Sequence, residues 1–184
     1  MTPNMIETPR LRVRPLEERD AAFILELVND PDWKRFIGDR GLRTLDDARA
    51  YLRNGPMAMY ARVGFGLDCV ESRETGAPLG ICGLIKRDTL EDIDLGFAFL
   101  PQARGLGYAA EASAAVLGHA WGALGLRRVV AIVSPGNDRS IALLEKLGFR
   151  PEGRRRLQPS DADEVLLYAA RPPEGSEPAE PLRP

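Results

Sequence analysis

The spacing of hydrophobic positions along the chain predicts alternating strands and helices. At residues 10–14, charged and apolar side chains alternate with a period of two, which is typical of a half-exposed strand. Apolar residues recur with helical spacing at 18–28, and the segment 44–53 opens on a threonine and two acids, as capped helices do. Asn29-Asp30-Pro31 and Gly55-Pro56 are predicted to end these two helices.

The rest of the chain continues this pattern with short apolar runs between turn sequences. The predicted strands are 66–71, 78–86, 93–100, 128–133, 149–157 and 165–170, and the predicted helices are 105–124 and 138–147. Most neighbouring strands are joined by hairpin turns, while 128–133 is expected to run parallel to its neighbour. We therefore predict an α+β fold with a mixed, mostly antiparallel sheet of about seven strands and about four helices.

Length and composition favour one globular domain. The chain has 184 residues, of which 44% are hydrophobic, and this suffices for a single core. We expect that domain to span residues 1–171. Residues 172–184 are rich in proline and glutamate and are expected to form a disordered tail, because they have too little apolar surface to bury.

Charge and hydropathy exclude some classes of partner. A formal net charge of −2 gives no field that attracts nucleic acid, and the basic run Arg154-Arg155-Arg156 is interpreted as a solvated hairpin edge. No stretch approaches the ~20 apolar residues that span a bilayer, so we expect no membrane partner. With no secretory h-region at the N-terminus, a cytoplasmic location is expected. A monomer and a homodimer are both compatible with the sequence.

A mid-chain turn carries the clearest functional pattern. A short apolar strand after Asp94 leads into a proline turn, then Gly105 and Gly107, and then an alanine-rich helix. The N–H groups at a helix start carry partial positive charge, and glycine lets a phosphate approach the backbone without meeting a Cβ atom. The turn therefore predicts a site for a cofactor that carries a diphosphate.

The register of the glycines separates two kinds of diphosphate site. A dinucleotide fingerprint needs a glycine directly after the strand and an acid at the end of the next strand. Here 101–104 intervene, and the next strand ends at Ser134. The spacing of Gln102, Gly105 and Gly107 fits Q/R-x-x-G-x-G/A better. This pattern resembles the coenzyme A pyrophosphate loop of the GNAT N-acetyltransferase superfamily.

Two further segments resemble the same superfamily. The block from Asn137 to Phe149, NDRSIALLEKLGF, is similar to the N-x-x-S…L-x-K-L-G-F sequence that closes the GNAT core. The opening 7–16, ETPRLRVRPL, and the tract 79–84 are similar to the branch that includes the ribosomal-protein (RimJ/RimL-like) N-terminal acetyltransferases. The resemblance covers about 7–170.

The resemblance implies a GNAT fold, in which two parallel central strands splay apart and the thioester arm of acetyl-CoA enters the gap. It implies that the strand 93–100 contacts pantetheine, that the following loop holds the pyrophosphate, and that the start of the helix at 138 orients the cofactor. The implied cofactor-binding residues are Phe97, Phe99, Leu100, Gln102, Arg104, Gly105, Leu106, Gly107, Tyr108, Ala109, Asn137 and Ser140.

The strand 93–100 also gives independent support. Asp94, Gly96 and Ala98 share one face, where small residues leave room beside a carboxylate, unless a helix packs there instead. Asp94 lies where the superfamily has a glutamate and is a candidate catalytic base. The alternative is a solvent-exposed cap of the acidic turn before it.

The catalytic acid is less clear from the sequence. Many GNAT enzymes have a tyrosine where this chain has Leu144, so Ser140 is the candidate substitute, with helix capping as its alternative role. A site without a phenol or histidine is better matched to a peptide N-terminal α-amine than to lysine. A small-molecule amine and a non-catalytic acyl-CoA sensor remain alternatives. Candidate walls of the acceptor pocket are Trp33, Phe36, Tyr60 and Phe65.

Overall fold

A computed structural model of the protein describes residues 5–159 and 161–174. Within them, eight strands form one sheet: β1 Ile6–Glu7, β2 Leu11–Pro15, β3 Leu67–Ser72, β4 Pro78–Ile85, β5 Asp94–Phe99, β6 Val129–Val133, β7 Arg150–Arg155 and β8 Val165–Ala170. The α-helices of the same residues are α1 Ala21–Asn29, α2 Pro31–Phe36, α3 Leu45–Leu52, α4 Ala58–Val63, α5 Tyr108–Gly122 and α6 Asp138–Lys146. Residues 175–184 of the predicted tail lie outside the described residues.

The strand order in the sheet is β1-β2-β3-β4-β5-β6-β8-β7. Every neighbouring pair is antiparallel except β5 and β6, which are parallel. The predicted α+β class with a mixed sheet is confirmed. The sheet has one more strand than predicted, because the two-residue β1 is too short to produce a recognisable alternation.

The parallel pair separates soon after it begins. β5 and β6 are paired only at Asp94 and Val130, where the Val130 N–H donates to the Ile93 carbonyl at 3.0 Å. From there to Phe99, β5 is paired with β4 alone. One edge of the β5 backbone is therefore left open between the two strands, as the resemblance implied.

Helices cover both faces of the sheet. On one face, Val116 and Ala120 of α5 share a buried cluster with Leu95 and Phe99 of β5. On the other, α1, α2 and α3 share a second cluster with β3 and β4, to which Ala98 packs from β5. The side chains of β5 thus alternate between the two cores, as the period of a strand requires.

Of the two predicted helix ends, the first is confirmed and the second is wrong. Pro31 does end α1, but it also begins α2, because Asp30 caps that helix by accepting from the N–H groups of Asp32 and Trp33. Proline fits the first turn of a helix, where its missing N–H has no intrahelical partner. The prediction that Gly55-Pro56 ends a helix was wrong, since the chain continues through a π-helical turn into α4.

The basic run lies at the edge of the sheet. β7 is an edge strand of the sheet, and all of its residues are exposed, including Arg154 and Arg155. Charged side chains on an edge strand oppose pairing with a second sheet. The interpretation of this run as a solvated hairpin edge is confirmed.

Candidate active site

The loop between β5 and α5 presents unpaired backbone donors. Gly105 and Gly107 adopt φ angles of +74° and +81°, and α5 begins at Tyr108 without a side-chain cap. The first helical bond of α5 runs from the Glu111 N–H to the Gly107 carbonyl at 3.1 Å. The N–H groups of 105–110 have no acceptor among the described residues. Such a group of donors at a helix N-terminus binds anionic oxygens.

Arg10, from the loop before β2, holds this glycine loop in place. Its Nε donates to the Glu111 carboxylate at 2.7 Å, and its Nη1 donates to the Leu106 carbonyl at 2.9 Å. The guanidinium also lies over the Tyr108 ring, 4.6 Å from its centroid. Thr8 completes the arrangement by donating to Glu111 at 2.6 Å. The loop is therefore fixed from a segment about 100 residues away in sequence.

A cavity of about 490 Å³ lies against the donors of this loop. Its apolar part lies along β5 and includes Phe97 and Phe99, and its polar part includes Gly105, Gly107 and the first turn of α5. The first turn of α6 and part of α2 also line it. An elongated ligand with an apolar arm and a diphosphate fits this division of the cavity.

Asn137 and Ser140 have different roles at the start of α6. The Asn137 side chain caps the helix by accepting from the Ser140 N–H at 3.3 Å. The Ser140 hydroxyl makes no hydrogen bond to any described residue, and Ser140 lines the cavity. The alternative that Ser140 only caps the helix is wrong, because Asn137 fills that role.

A second cavity, of about 650 Å³, is lined by residues of both β5 and β6. Asp94, Gly96 and Ala98 line it, so this face of β5 borders a cavity, although Ala98 also packs against the α1–α3 core. Leu144 also lines it and is 1% exposed. The position at which many superfamily members have a tyrosine therefore contributes no hydroxyl group here.

Asp94 is buried beside this second cavity. Its side chain is 1% exposed, and both carboxylate oxygens accept from Arg87 Nε, at 3.0 and 3.1 Å. Burial raises the pKa of Asp94 above its ordinary value, against the opposite effect of Arg87. The alternative of a solvent-exposed cap is wrong. A carboxyl group with a raised pKa is better suited to exchange protons near neutral pH.

The two cavities meet at the gap. Phe97 and Ala98 of β5 line both, as do Asn137 and Ser140 of the α6 start and the aromatic Trp33 of α2. A group that follows the open edge of β5 would thus pass from the first cavity toward Asp94. We call the first the cofactor cavity and the second the acceptor cavity.

Comparison with known proteins decides the family. The model of the acetyltransferase (GNAT) domain matches residues 10–150. The chain belongs to the GNAT acetyltransferase family. It is therefore an N-acetyltransferase that uses acetyl-CoA as acetyl donor, and the unpaired loop donors and the open edge of β5 fit that cofactor.

Relatives of this GNAT domain match nearly its whole length. The uncharacterized N-acetyltransferase YoaA of Bacillus subtilis is 26% identical over 151 residues, which are 81% of this chain and 84% of YoaA. An acetyltransferase from Agrobacterium tumefaciens superposes with a TM-score of 0.78 at 27% identity, covering 94% and 96% of the two chains. The ribosomal-protein-S5-alanine acetyltransferase of Vibrio fischeri has the same fold, with a TM-score of 0.71, 17% identity and coverages of 91% and 96%.

Most predicted cofactor residues of the GNAT site lie together. Those that line the cofactor cavity are Phe97, Phe99, Arg104, Gly105, Gly107, Tyr108, Ala109, Asn137 and Ser140. Leu100, Gln102 and Leu106 do not line it. Leu100 is buried in the α1–α3 core, and Leu106 is 53% exposed.

Arg104 has protein partners of its own. Its guanidinium donates to Asp30 at 2.6 Å and to Asp32 at 2.8 Å, and its Nε donates to the Phe99 carbonyl. These bonds tie the loop after β5 to the start of α2. The Arg104 side chain thus already has two carboxylate partners, which leaves the backbone as the better phosphate donor in this GNAT loop.

Two of the four residues predicted as acceptor-pocket walls line the two cavities. Trp33 and Phe36 line both cavities. Tyr60 does not, because its hydroxyl is held inside the fold by the Leu16 N–H and the Leu67 carbonyl. Phe65 packs against the α5 side of the sheet instead.

Several cationic residues of the site escaped the sequence analysis. Arg35 and Arg139 line the cofactor cavity, Arg87 pairs with Asp94, and Arg10 holds the loop. Each lies in a segment whose pattern predicts secondary structure and does not itself point to a site. Only for Arg10 was there a usable signal, since it lies within the opening segment 7–16 on which part of the resemblance rests.

Proposed function

We propose that this enzyme acetylates primary amines, with the N-terminal α-amine of a protein or peptide as favoured acceptor. The observation that carries the proposal is the meeting of two cavities at the gap between β5 and β6, with Asp94 beside one and unpaired loop donors beside the other. The proposal places the enzyme in the RimJ/RimL-like branch. The cytoplasmic location and the choice between monomer and homodimer stay predictions.

The loop and β5 would bind and orient the donor. The N–H groups of 105–110 would hold the pyrophosphate, and the unpaired edge of β5 would receive the pantetheine arm. When bound, acetyl-CoA supplies the acetyl group as a thioester, in which the amine nitrogen replaces the thiol sulfur on the carbonyl carbon. Phe97 and Ala98 would exclude water at that point.

Asp94 and Ser140 would handle the protons. Asp94 accepts the proton that the amine nitrogen loses, directly or through a water molecule, and its raised pKa favours that role. Ser140 lines both cavities and has a free hydroxyl, so it is placed to donate to the departing sulfur. No covalent enzyme intermediate is needed, since attack is direct in a ternary complex.

The acceptor class follows from the ease of obtaining a neutral amine. An α-amine with a pKa of about 7.7 to 8.0 is neutral far more often at pH 7 than a lysine amine near 10.4, a difference of about 3.5 kcal/mol. Leu144 stands where a phenolic acid would be, and Asp94 is the one base proposed for the site. A weakly basic α-amine suits it better. At 17% identity, the Vibrio fischeri structure shows only a shared fold. The argument for an α-amine acceptor therefore rests on Asp94 and Leu144 of this chain.

The test is acetyl transfer to a panel of amines at pH 7. The panel comprises peptides with a free N-terminus, the same peptides blocked at the N-terminus with one lysine, and small amines such as aminoglycosides, polyamines and amino acids. Thiol release and product mass are measured together. We expect the free N-terminal peptides to react fastest. Faster lysine acetylation would contradict the acceptor class, and coenzyme A binding without transfer to any amine would favour a sensor.

A further inference from the structure

The acceptor cavity has an excess of positive charge. It is lined by four cationic side chains and three carboxylates, which leaves one unit of positive charge; they are Lys34, Arg35, Arg40 and Arg87, and Asp94, Asp161 and Asp163. Asp94 is already paired with Arg87. A neutral or purely cationic acceptor would leave this charge without a partner, whereas an acceptor with one negative group would match it.

Three residues that line this cavity offer unused hydrogen-bond donors. Arg87 binds Asp94 through Nε alone, so its two terminal nitrogens have no partner among the described residues. The Arg40 guanidinium and the Tyr51 hydroxyl likewise have no hydrogen-bond partner in the described part of the chain. Arg40 and Arg87 both act on Tyr51, where they oppose the larger effect of burial, which raises the pKa of the phenol. Arg40, Tyr51 and Arg87 thus line one cavity, and both arginines act electrostatically on the phenol.

We propose that Arg40, Tyr51 and Arg87 form a subsite for a carboxylate of the acceptor, so that the acceptor is an amine that also carries a carboxylate. Two guanidinium groups and a phenol are a donor set that carboxylates prefer. The carboxylates of Asp161 and Asp163 on the same cavity disfavour a dianionic phosphate. The inference rests on the proposed amine acetylation and names its substrate class.

The carboxylate has two sources, which matched acceptors distinguish. An acidic second residue is tested by C-terminally amidated Ala-Asp against Ala-Asn. A free α-carboxylate is tested by alanine against alaninamide. The kcat/KM values are expressed per deprotonated amine. In at least one pair, we expect the wild-type value to be at least about tenfold higher for the carboxylate acceptor, because that acceptor gains a charge-assisted hydrogen bond.

The residue-level test is Arg40→Met, with Arg43→Met as the matched control. Arg43 lies three residues away, lines neither cavity and is paired with Asp39 at 2.8 Å. We expect Arg40→Met to reduce the preference to about twofold or less, since a neutral side chain forms no charge-assisted bond. Arg40→Lys should restore part of the preference, and Arg43→Met should keep all of it. Equal effects of the Arg40→Met and Arg43→Met changes would overturn the subsite.

Calorimetric binding of the same acceptors in the presence of coenzyme A separates this inference from the proposed function. Tighter binding of the carboxylate acceptor by wild type than by the Arg40→Met variant supports the subsite even if no acetylated product forms, in which case the proposed function fails alone. Acetylation without any preference between carboxylate and amide acceptors leaves the proposed function standing and overturns the subsite. Absence of both transfer and differential binding overturns both.

Discussion

The cofactor cavity and the acceptor cavity are built from different parts of the protein. The cofactor cavity uses backbone N–H groups and the edge of one strand, which both belong to the continuous segment 97–110. The acceptor cavity uses charged and aromatic side chains from α2, the loop after it, α3, the turn before β5 and the β7–β8 loop. Substitutions on the two sides should therefore behave differently.

The difference has a chemical reason. A diphosphate is recognised by any correctly placed set of N–H groups, so the cofactor side depends on local backbone conformation. An acceptor is recognised by the types of side chain around it, and those can change without altering the backbone. The cofactor side should be sensitive to backbone changes, and the acceptor side should be sensitive to changes of charge.

The largest effect is expected for Gly107→Val. Valine at a φ of +81° is strained, and its Cβ would lie 3.3 Å from an Arg10 nitrogen, so the loop would lose its shape. Loss of two charge-assisted hydrogen bonds to phosphate costs about 3 kcal/mol or more, so coenzyme A binding measured by calorimetry should weaken at least about 100-fold.

Gly64→Val is the matched control for that strain. Gly64 has a φ of +82° and lines neither cavity, and a Cβ atom at this position would meet no other atom within 4 Å. The substitution should lower thermal stability but leave coenzyme A affinity intact. If both variants lost affinity equally, the loop would not be the phosphate site.

The next largest effect is expected on the acceptor side, for Asp94→Asn. If Asp94 is the base, its loss should lower kcat by about 100-fold, while coenzyme A affinity stays unchanged. Because a base must be ionised, the wild-type rate should rise as pH increases through the raised pKa of Asp94, and the variant should lose that limb. Asp92→Asn, at an aspartate paired with Arg128 and outside both cavities, is the control. An unchanged pH profile would exclude Asp94.

A smaller effect, specific to the phosphate loop, is expected for Arg10→Met. Removing the bonds to Glu111 and Leu106 should raise KM for acetyl-CoA about tenfold, the equivalent of one charge-assisted hydrogen bond. Acetyl-pantetheine has no pyrophosphate, so its kcat/KM should not change. Arg12→Met removes an arginine two residues away that binds Glu7 and Glu71 instead, and should affect neither donor. If Arg10→Met lowered kcat/KM equally for acetyl-CoA and for acetyl-pantetheine, the substitution would have destabilised the protein in general.

The smallest effect is expected for Ser140→Ala at the junction of the two cavities. A thiol with a pKa near 8.5 leaves with little help, so kcat should fall only about threefold. Steady-state rates at saturating acetyl-CoA measure this. A fall of 100-fold would show that departure of the thiol needs an acid and would make Ser140 as important as Asp94.

The sequence by itself determined the sheet class, most strand positions and the glycine turn that we propose as the phosphate site. Alternating hydrophobicity and the glycines at 105 and 107 act over a few residues, and local physics is enough to interpret them. The sequence did not predict α2 or α4. Pro31 and Gly55-Pro56 have the same local preferences whether a helix ends there, a new helix begins, or the chain continues through a π-helical turn. The contacts that decide between these outcomes come from the packed α1–α3 core.

Only the tertiary structure decided the surroundings of the reactive groups. Asp94 is compatible with a solvated turn in sequence, yet the sheet buries it and places Arg87 against it. Arg10 reaches Leu106, and Arg40 shares a cavity with Asp161, across large separations in the chain. Burial and charge pairing are properties of neighbours in space, whereas periodicity and turn chemistry are properties of neighbours in sequence.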